Sequence, residues 1–581
     1  MGKLQGKALM NATTLLAAVG FLLFGYDQVC TGLPHGVMSG ITDDPSFLRR
    51  MGLYDEATGA VTNPALLGAI VSLYEIGCMF GALSCGWIGD RLGRKKTIMI
   101  GCTILCIGGA LQAGCVDIGM MIAARIITGV GNGLNTATIP VFQSEISPPK
   151  SRGAHVTFEA SFLTLGVAIA YWLEFGLYFT DGEVVWRFPL AFQCFFAILL
   201  GVGVNFLPES PRWLQAHDRV DDCKQVLADL WTEGDTTHPR CIGEWEEIRD
   251  GIDLERREGV STYKELFSKG TMNNRYRVYL GMMGQIIQQF GGINLISYYL
   301  ATVFSQAGMD PMMSRLMSGV DSIVYFIGAL CPIFLIERVG RRKLMYYGLI
   351  GQAICMFLIG AGQAAYKDSG IAAGAQVSIA FTMLYNFVFG SAWLGLAWLY
   401  PAEIFTTGLR AKGNSMSTAA NWLGNFVVAE VAPVCFANLD YWTYILFGFV
   451  NIIFLPLIYF GYPETKGLSL EEIEVLFATQ KVQDDARTLA SHIGSHRSYD
   501  PEKPRDPETA SRFSFNGRRS SRPGTVRQQS HLSNKDVHLA HNRKDEVAEP
   551  GSSGASSSAE DNTAAAQVKK EYEDEKGPNY Q

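Results

Sequence analysis

The sequence predicts an all-α membrane protein whose twelve transmembrane helices form two pseudo-symmetric halves of six helices each. Three observations support this prediction. Apolar stretches of about 20 residues, each long enough to cross a bilayer, recur along most of the 581-residue chain. Lys and Arg are concentrated in alternate short loops. Charged motifs of the first half return in the second half, in the same order.

The candidate transmembrane segments fall into two groups that a long polar segment separates. Each segment is predominantly apolar, and charged residues collect between the segments, as spanning helices require. The first group lies near 12–33, 64–88, 97–115, 118–142, 153–176 and 188–207. The second group lies near 277–306, 313–336, 343–365, 373–400, 413–436 and 441–461.

Four regions follow from these segments. We expect a first bundle over 1–207, a cytoplasmic linker with short helices over 208–276, a second bundle over 277–477 and a tail over 478–581. Two short amphipathic patterns indicate the linker helices. The tail is rich in Ser, Arg, Glu, Asp and Pro and has few large apolar residues, which predicts disorder.

The distribution of basic residues predicts the orientation in the membrane. Alternate loops contain "DRLGRKK", "PPKSRG", "ERVGRRK" and "LRAKG", whereas the loops between them are poor in Lys and Arg or balance them with acids. Because basic loops stay on the cytoplasmic side, we expect both termini to be cytoplasmic. The membrane that we expect is the plasma membrane.

Three charged motifs occur twice, at nearly one spacing. "DRLGRK" at 90–95 returns as "ERVGRR" at 337–342, "SEISPPKSRG" returns as "AEIFTTGLRAKG", and "PESPR" from Pro208 returns as "PETKG" from Pro463. Two halves related by internal symmetry explain this pattern. Transporters built in this way bind their substrate between the repeats, near the bilayer midplane.

Composition and spacing exclude several classes of protein. The formal net charge is −7 and no strongly basic face is present, so we expect no nucleic acid partner. The 12 cysteines lie mostly within apolar runs and lack the paired spacing of a disulfide framework or a zinc site. We find no pairing of a nucleophile with a base, so we expect no enzyme activity, no cofactor and no bound metal.

A carboxylate, that of Asp27, lies inside the apolar run "GFLLFGYDQVCTGL" at 20–33. A charge at the centre of a spanning helix costs about 2.5–3.5 kcal/mol on insertion scales, so such a group neutralises or finds a partner. The arginine within the first six apolar segments is Arg125, which makes it the candidate partner. Glu75 lies deep in another apolar run, and we expect it to line the cavity.

Short motifs in both halves indicate a family. They are "RIITGVG" at 125–131, "PESPRWL" at 208–214, "QQFGGIN" at 288–294, "NWLGN" at 421–425 and "PETKG" at 463–467, beside the two "DRLGRK"-type loops. With them the chain resembles the sugar porter branch of the major facilitator superfamily over roughly residues 12–477. "WLYPAEI" at 398–404 and "YWLEFGLYF" at 171–179 resemble fungal hexose and glycerol permeases.

The resemblance implies a proton-linked pair at Asp27 and Arg125. In this family the matching residues of the first and fourth helices face each other across the bundle. Because the protonation state of an acid can favour one conformation over another, such a pair can couple transport to a proton gradient. The alternative is a static ion pair that fixes helix packing.

Amide side chains suit a hydroxyl-rich solute, because each offers two donors and an acceptor. Gln285, Gln288 and Gln289 share one helix face by their spacing, and Asn421 is a further candidate. The alternative role for such amides is to hold helices together. The resemblance implies substrate contacts at Gln288, Gln289, Asn294, Trp398 and Asn425, and an outer gate at Tyr298 and Tyr299.

The chain departs from the family pattern at three places. Ala160 stands where many hexose-transporting members have Gln, and Tyr325 stands at an amide position of the eighth helix. A Trp-Gly-Pro step of the tenth helix reads Trp393, Leu394, Gly395. Two hydrogen-bonding positions for a hexose are therefore missing, which leaves a smaller polyol, or a sugar held differently, as the substrate.

Charged residues converge on the predicted cytoplasmic ends of both halves. The resemblance implies a network that stabilises the outward-facing state, and the alternative is that the basic residues only set the topology. The first half contributes Asp90, Arg91, Arg94, Glu145, Arg152, Glu209 and Arg212. The second half contributes Glu337, Arg338, Arg341, Glu403 and Arg410.

These observations predict a secondary active transporter that carries a sugar, such as a hexose or similar monosaccharide, or a polyol by alternating access, with a proton as the coupling ion. A facilitative uniporter and a non-transporting nutrient sensor of the same fold are the alternatives. The expected partners are the solute, the proton and the lipid bilayer. Ser520 and Ser521, which follow two arginines, and the exposed lysines of the tail also suit a kinase or the ubiquitin machinery.

Overall fold

The computed structural model describes residues 4–30, 45–56, 62–148, 152–180, 182–258, 263–268, 270–406, 408–468 and 470–479. Within these ranges the protein is built from helices, and nine of them are long and apolar enough to cross a membrane by length and composition. The predicted disorder of the tail and the predicted modification of Ser520 and Ser521 concern residues outside these ranges, so both stay predictions.

Six long helices and one short helix form the first half. Side chains fix where two of them begin: Asn63 Oδ1 accepts from Leu66 N at 3.1 Å, and Asp117 Oδ1 accepts from Met120 N at 2.9 Å. The helices are α1 (Gly6–Cys30), α2 (Pro45–Arg50), α3 (Pro64–Leu92), α4 (Arg94–Ala113), α5 (Ile118–Ile146), α6 (Arg152–Leu177) and α7 (Val184–Gly203), after which a 3-10 turn covers Val204–Phe206.

Four further helices follow the first half. They are α8 (Pro211–Ala216), α9 (Val220–Trp231), α10 (Pro239–Glu258) and α11 (Tyr263–Leu266). The amphipathic patterns in this polar segment correspond to α9 and α10. Cys223 and Leu227 of α9 pack against Ile248 and Ile252 of α10, so the segment has a small apolar core of its own.

The second half contains a broken helix at its start. The seventh predicted segment divides at Gly292, whose φ is +103°, and again at Tyr299. The tenth divides at a π-helical turn over Gly390–Leu394. The helices are α12 (Asn274–Phe290), α13 (Ile293–Tyr298), α14 (Leu300–Gln306), α15 (Pro311–Val339), α16 (Arg341–Ser369), α17 (Ala372–Phe389), α18 (Gly395–Ile404), α19 (Arg410–Leu439) and α20 (Trp442–Gly461), and α21 (Leu470–Phe477) follows them.

The repeated motifs build the same turn in both halves. Gly93 joins α3 to α4 with φ of +88°, and Gly340 joins α15 to α16 with φ of +98°. These values lie in the region that residues with a side chain rarely adopt, which explains why both "DRLGRK" and "ERVGRR" contain glycine at this position. The end of each half at which these turns lie is called the basic end below.

A carboxylate caps the helix that follows each turn. Glu209 Oε1 accepts from Arg94 N at 3.0 Å, and Glu464 Oε1 accepts from Arg341 N at 2.9 Å. Helix N-termini present unpaired N–H groups and a positive partial charge, which an acid satisfies. The duplicated "PESPR" and "PETKG" motifs therefore each supply an acid that caps a helix of the same half.

In the described part of the chain, the most extensive contacts between the two halves are made by two helix pairs. Helix α3 of the first half packs against α19 of the second, and α6 packs against α15. Close approach within the first half depends on glycine: a Cβ at Gly133 of α5 would overlap the Cys78 carbonyl of α3. These packings place the polar faces of α3, α12 and α19 against one another.

Candidate functional site

Asp27 lies at a fully buried position of α1. Its carboxyl group lies close to the Tyr74 hydroxyl of α3 and interacts electrostatically with Arg125 of α5. The Arg125 guanidinium lies 4.4 Å from the centre of the Tyr74 ring, and its Nε donates to the Ile70 carbonyl at 3.1 Å. The structure thus brings the two predicted residues into one buried site, with Tyr74 as their shared neighbour.

Two residues of this site were missed by the sequence analysis. Tyr74 contacts both Asp27 and Arg125, and Asn132 Nδ2 donates to the Tyr74 hydroxyl at 2.5 Å. Asn132 lies about two helical turns after Arg125, on the same face of α5. That spacing was available in the sequence, but an amide in a helix also occurs as an ordinary packing residue.

The amides of α12 are bonded to α18 and α19. Gln285 Nε2 donates to the Ala397 carbonyl at 2.8 Å. Asn421 Nδ2 lies 2.7 Å from Gln285 Oε1 and 2.7 Å from Gln288 Oε1. Three of the predicted substrate-binding residues therefore form one buried cluster, in which amide donors face amide acceptors.

A second set of amides continues this cluster towards α13. Asn294 Nδ2 donates to Asn425 Oδ1 at 2.5 Å and also bonds to Gln289 Oε1. Asn425 Nδ2 donates to Glu75 Oε2 at 2.9 Å and to the Tyr298 hydroxyl at 2.9 Å. The amides of the second half thus reach an acid of the first half.

The structure separates the two tyrosines that were predicted to form one gate. The Tyr298 hydroxyl donates to Glu75 Oε1 at 3.2 Å and accepts from Gln28 Nε2 at 2.7 Å, so Tyr298 links the halves. The Tyr299 hydroxyl donates to the Ala429 carbonyl at 3.1 Å, and Tyr299 therefore contacts its own half. A gate that opens between the halves has to break the contacts of Tyr298.

Trp398 belongs to an aromatic cluster between the halves. Its ring meets Phe21 at 5.9 Å and Phe24 at 5.6 Å, both in edge-to-face geometry. Trp422 of α19 meets Phe24 at 5.2 Å and Tyr74 at 6.1 Å. Aromatic rings beside the amides offer apolar surface to the C–H face of a sugar ring.

The positions that depart from the family pattern offer few groups to a ligand. Ala160 is buried and has no polar side-chain atom. Tyr325 packs its ring 6.1 Å from that of Phe389. Trp393 Nε1 donates to the Met345 carbonyl at 3.0 Å, so its indole is bonded to α16.

The basic end contains an ion-pair network in each half. Arg94 binds both carboxylate oxygens of Glu145, at 3.0 and 2.9 Å, and Arg212 Nη1 donates to the Glu145 carbonyl at 3.2 Å. Arg341 pairs with Glu337 at 2.8 Å and with Glu403 at 3.0 Å. Bidentate pairs of this kind are stronger than single contacts.

Three contacts join the two networks across the halves. Arg410 Nη1 lies 3.7 Å from Glu145 Oε1, and Gly153 N donates to Glu337 Oε1 at 3.0 Å. Lys412, which the sequence analysis missed although it lies in "LRAKG", pairs with Asp90. The basic end is therefore closed by charged contacts between the halves.

Three predicted network residues make other contacts, and the side chain of a fourth lies outside the described residues. The Arg91 guanidinium stacks 4.2 Å above the Trp87 ring, and Arg338 contributes its carbonyl to Lys466 Nζ at 2.7 Å. Glu209 caps α4. The side chain of Arg152 lies outside the described residues.

Comparison with known proteins identifies the family. Residues 13–477 match the model of the family described as "Sugar (and other) transporter". The chain is 39% identical over 476 residues to the MFS-type transporter oryC of Aspergillus oryzae, covering 81% of this chain and 86% of that protein. It is 34% identical over 559 residues to the Sugar transporter STL1 of Saccharomyces cerevisiae, covering 92% and 95%.

A solved transporter structure has the same fold as this chain. The structure of the proton:xylose symporter XylE of E. coli bound to 6-bromo-6-deoxy-D-glucose matches with a TM-score of 0.70 at 26% identity, covering 81% of this chain and 100% of that one. The predictions of a twelve-helix fold and of a protein that is not an enzyme are confirmed. The chain is a multi-pass membrane protein that belongs to the sugar transporter family of the major facilitator superfamily.

Proposed function

We propose that the protein is a proton-coupled secondary transporter that carries a sugar or a smaller polyol by alternating access. The single observation that supports this most directly is the buried site of Asp27, Tyr74 and Arg125, joined through α3 to the amide cluster. XylE, with the same fold, is described as a proton:xylose symporter. We further propose that the protein acts at the plasma membrane with both termini in the cytoplasm.

The amide cluster supports the assignment of a hydroxyl-rich solute. Gln285, Gln288 and Asn421 are bonded to one another, as are Gln289, Asn294 and Asn425. A solute hydroxyl both donates and accepts, so it can replace an amide–amide hydrogen bond without leaving a buried polar atom unpaired. Trp398 and its aromatic neighbours cover the apolar side of such a solute.

The side chains at the positions that depart from the family pattern favour a small polyol. They also allow a sugar that makes other hydrogen bonds than a hexose makes in related carriers. Ala160 provides no hydrogen bond, and the Trp393 indole is bonded to the Met345 carbonyl. A site that lacks partners for some hydroxyls leaves those hydroxyls unpaired on burial, which weakens binding of the larger ligand.

Proton coupling follows from the charge that Asp27 presents to Arg125. The ionised acid attracts Arg125, whereas the protonated acid does not, so each protonation state favours a different arrangement of α1, α3 and α5. The contacts at the basic end have to break when that end opens. Replacing Glu145 or Arg410 by alanine should therefore shift the protein towards the state that is open at the basic end.

Transport by the purified protein in sealed vesicles tests this proposal. Radiolabelled D-xylose, D-glucose and glycerol are offered as probes, and a trapped dye reports the internal pH. We expect solute entry to acidify the lumen. We expect Asp27→Asn to abolish accumulation and acidification while exchange of solute across the membrane continues.

The matched control is Asp321→Asn. Asp321 is a buried acid of the second half that accepts from Asn386 Nδ2 at 2.5 Å, and an asparagine preserves that acceptor. The Asp321→Asn variant should therefore keep proton coupling. Solute entry without acidification in the wild type would identify a uniporter, and binding without entry would identify a sensor; either result contradicts the proposal.

A further inference from the structure

Glu75 of α3 is a buried acid that connects the first half to the second. Its Oε1 accepts from the Tyr298 hydroxyl at 3.2 Å, and its Oε2 accepts from Asn425 Nδ2 at 2.9 Å. It lies next to Tyr74, which contacts Asp27 and Arg125. One short stretch of α3 thus touches both the Asp27 site and the amide cluster.

The hydrogen-bond pattern around Glu75 fits an ionised carboxylate. The Tyr298 oxygen already accepts from Gln28 Nε2 at 2.7 Å and from Asn425 Nδ2 at 2.9 Å, so its one hydrogen is directed to Glu75. Both Glu75 oxygens therefore face donors. A protonated carboxyl would bring its own hydrogen against one of these donors.

The charges around Glu75 do not balance unless one proton is bound. In the described part of the chain, the charged side chains whose fields reach Glu75 are Arg125 of α5 and Asp27 of α1, beside the neutral Tyr74 and Cys78 of its own helix and Tyr298 of α13. Two acids and one guanidinium leave a net negative charge. Burying an unpaired charge is strongly unfavourable, so one of the two acids holds a proton.

We propose that Asp27 and Glu75 share one exchangeable proton, so that Glu75 is a second proton-linked carboxyl of this transporter. This inference rests on the proton-coupled transport proposed above. Asp27 holds the proton while Glu75 accepts from Tyr298 and Asn425. When those two donors leave as the halves separate, the proton relocates to Glu75, and the anionic Asp27 pairs with Arg125.

The relocation itself keeps the site neutral, since one proton changes place and Arg125 remains charged. The site becomes negative when Glu75, opened to water, releases that proton to it. Glu75 lies between the halves, so it is the carboxyl through which the proton exchanges with water. Solute that binds Asn425 competes for a donor of Glu75. Solute binding and proton position are therefore linked through one side chain.

The ratio of protons to solute molecules in vesicles tests the proposal. In Glu75→Gln, the remaining Asp27 and Arg125 balance without a proton, so we expect solute exchange to continue while the ratio falls towards zero. The double variant with Asp27→Asn should lose no more coupling than either single variant, because both act on one proton. Glu75→Asp should restore part of the ratio.

Tyr298→Phe is the control for a purely structural role. It removes the hydroxyl that donates to Glu75 but keeps both acids and the Asn425 donor, so we expect a changed transport rate with a proton ratio that stays well above that of Glu75→Gln. If Glu75→Gln keeps the wild-type ratio, the inference is wrong while symport stands. If the wild type moves no proton, the proposed function itself fails.

Infrared spectroscopy of the purified protein gives a readout that does not require transport. We expect the wild type to show the signal of one buried protonated carboxyl that Asp27→Asn lacks. Persistence of that signal in Asp27→Asn would place the proton elsewhere and overturn the inference, even if Glu75→Gln does not fold.

Discussion

The two halves of the molecule are alike at the basic end and different in the middle. At the basic end each half has a glycine turn, Gly93 or Gly340, and a carboxylate that caps the next helix. At the site between the halves, the first half contributes Asp27, Glu75 and Arg125, whereas the second half contributes the amides that bond to Glu75 and to one another. The shared parts fix how each half is built, and the parts that differ are the ones to which we assign chemistry.

The two halves also differ in the neighbour that each provides to a buried acid. Asp27 of the first half lies beside a guanidinium, that of Arg125. Asp321 of the second half is bonded to a neutral amide, that of Asn386, at 2.5 Å. An acid beside a base loses an ion pair when it gains a proton, whereas Asp321 has a neutral hydrogen bond in that place. This contrast explains why we place proton coupling in the first half.

The largest expected effect is that of Arg125→Gln, which removes the base of the first half. Two buried acids are then left without a positive partner, and breaking a buried pair costs about 3–5 kcal/mol. We expect a marked fall in the unfolding temperature of the purified protein and loss of transport. Adding Asp27→Asn should recover part of the stability.

The control for this change is Arg49→Gln, because Arg49 pairs with Glu56 on the surface at 2.7 Å. It should leave the unfolding temperature as it is. If the Arg125→Gln protein is as stable as the wild type, Arg125 does not balance the buried acids of the first half, and the contrast drawn between the halves is wrong.

The next effect tests the likeness of the two basic ends. Gly93→Ala and Gly340→Ala each force a side chain into a positive φ, which costs about 1–3 kcal/mol, and each brings a Cβ against Glu209 or Glu464. We expect similar losses of thermal stability in the two variants. Gly182→Ala, at φ of +88° with open space around it, should lose less. A large loss in one half and none in the other would contradict the structural equivalence of the turns.

A smaller effect is expected in the amide cluster. Gln288→Ala leaves Asn421 without one of its acceptors, so we expect about tenfold weaker solute affinity, which corresponds to about 1.4 kcal/mol. Competition against the labelled solute measures it. Gln363→Ala is the control, since Gln363 is a buried amide that donates to the Val303 carbonyl at 3.4 Å. Equal affinity losses in both variants would show that stability, and not binding, was changed.

The smallest effect is expected at the contact between the basic ends. The Lys412–Asp90 pair is partly exposed, and such pairs contribute about 0–1 kcal/mol, so Lys412→Ala should raise the open fraction at this end by at most about fivefold. Ser415 is fully buried in α19, three residues after Lys412, so maleimide labelling of Ser415→Cys, quantified by mass spectrometry, reports that fraction. Lys466→Ala, whose ammonium contacts its own half, is the control. Slower labelling after Lys412→Ala would contradict a closing role for the pair.

Sequence patterns predicted the helices well and their interruptions poorly. A run of apolar residues fixes the length of a span, but the break at Gly292 depends on backbone angles that the hydrophobic pattern does not report. The π-helical turn at Gly390–Leu394 adds one residue to a turn and leaves the composition unchanged. The duplicated motifs were visible because charge is rare in such a chain.

The site was predictable where a residue type is costly to bury, and less so elsewhere. Asp27 and Arg125 stand out in apolar segments for that reason. Tyr74 and Asn132 were missed because aromatic and amide residues also occur as ordinary packing residues of helices. The different contacts of Tyr298 and Tyr299 could not be predicted, because the side on which each adjacent residue lies depends on the break between α13 and α14.

The acids that cap α4 and α16 have a consequence for the membrane surface. The start of a helix is a natural binding place for phosphate, and here both such places are filled by carboxylates of the chain itself, Glu209 and Glu464. These carboxylates therefore occupy the N–H groups that a phosphate would otherwise bind. Glu209→Ala would turn one of these places into a pocket that inorganic phosphate can occupy.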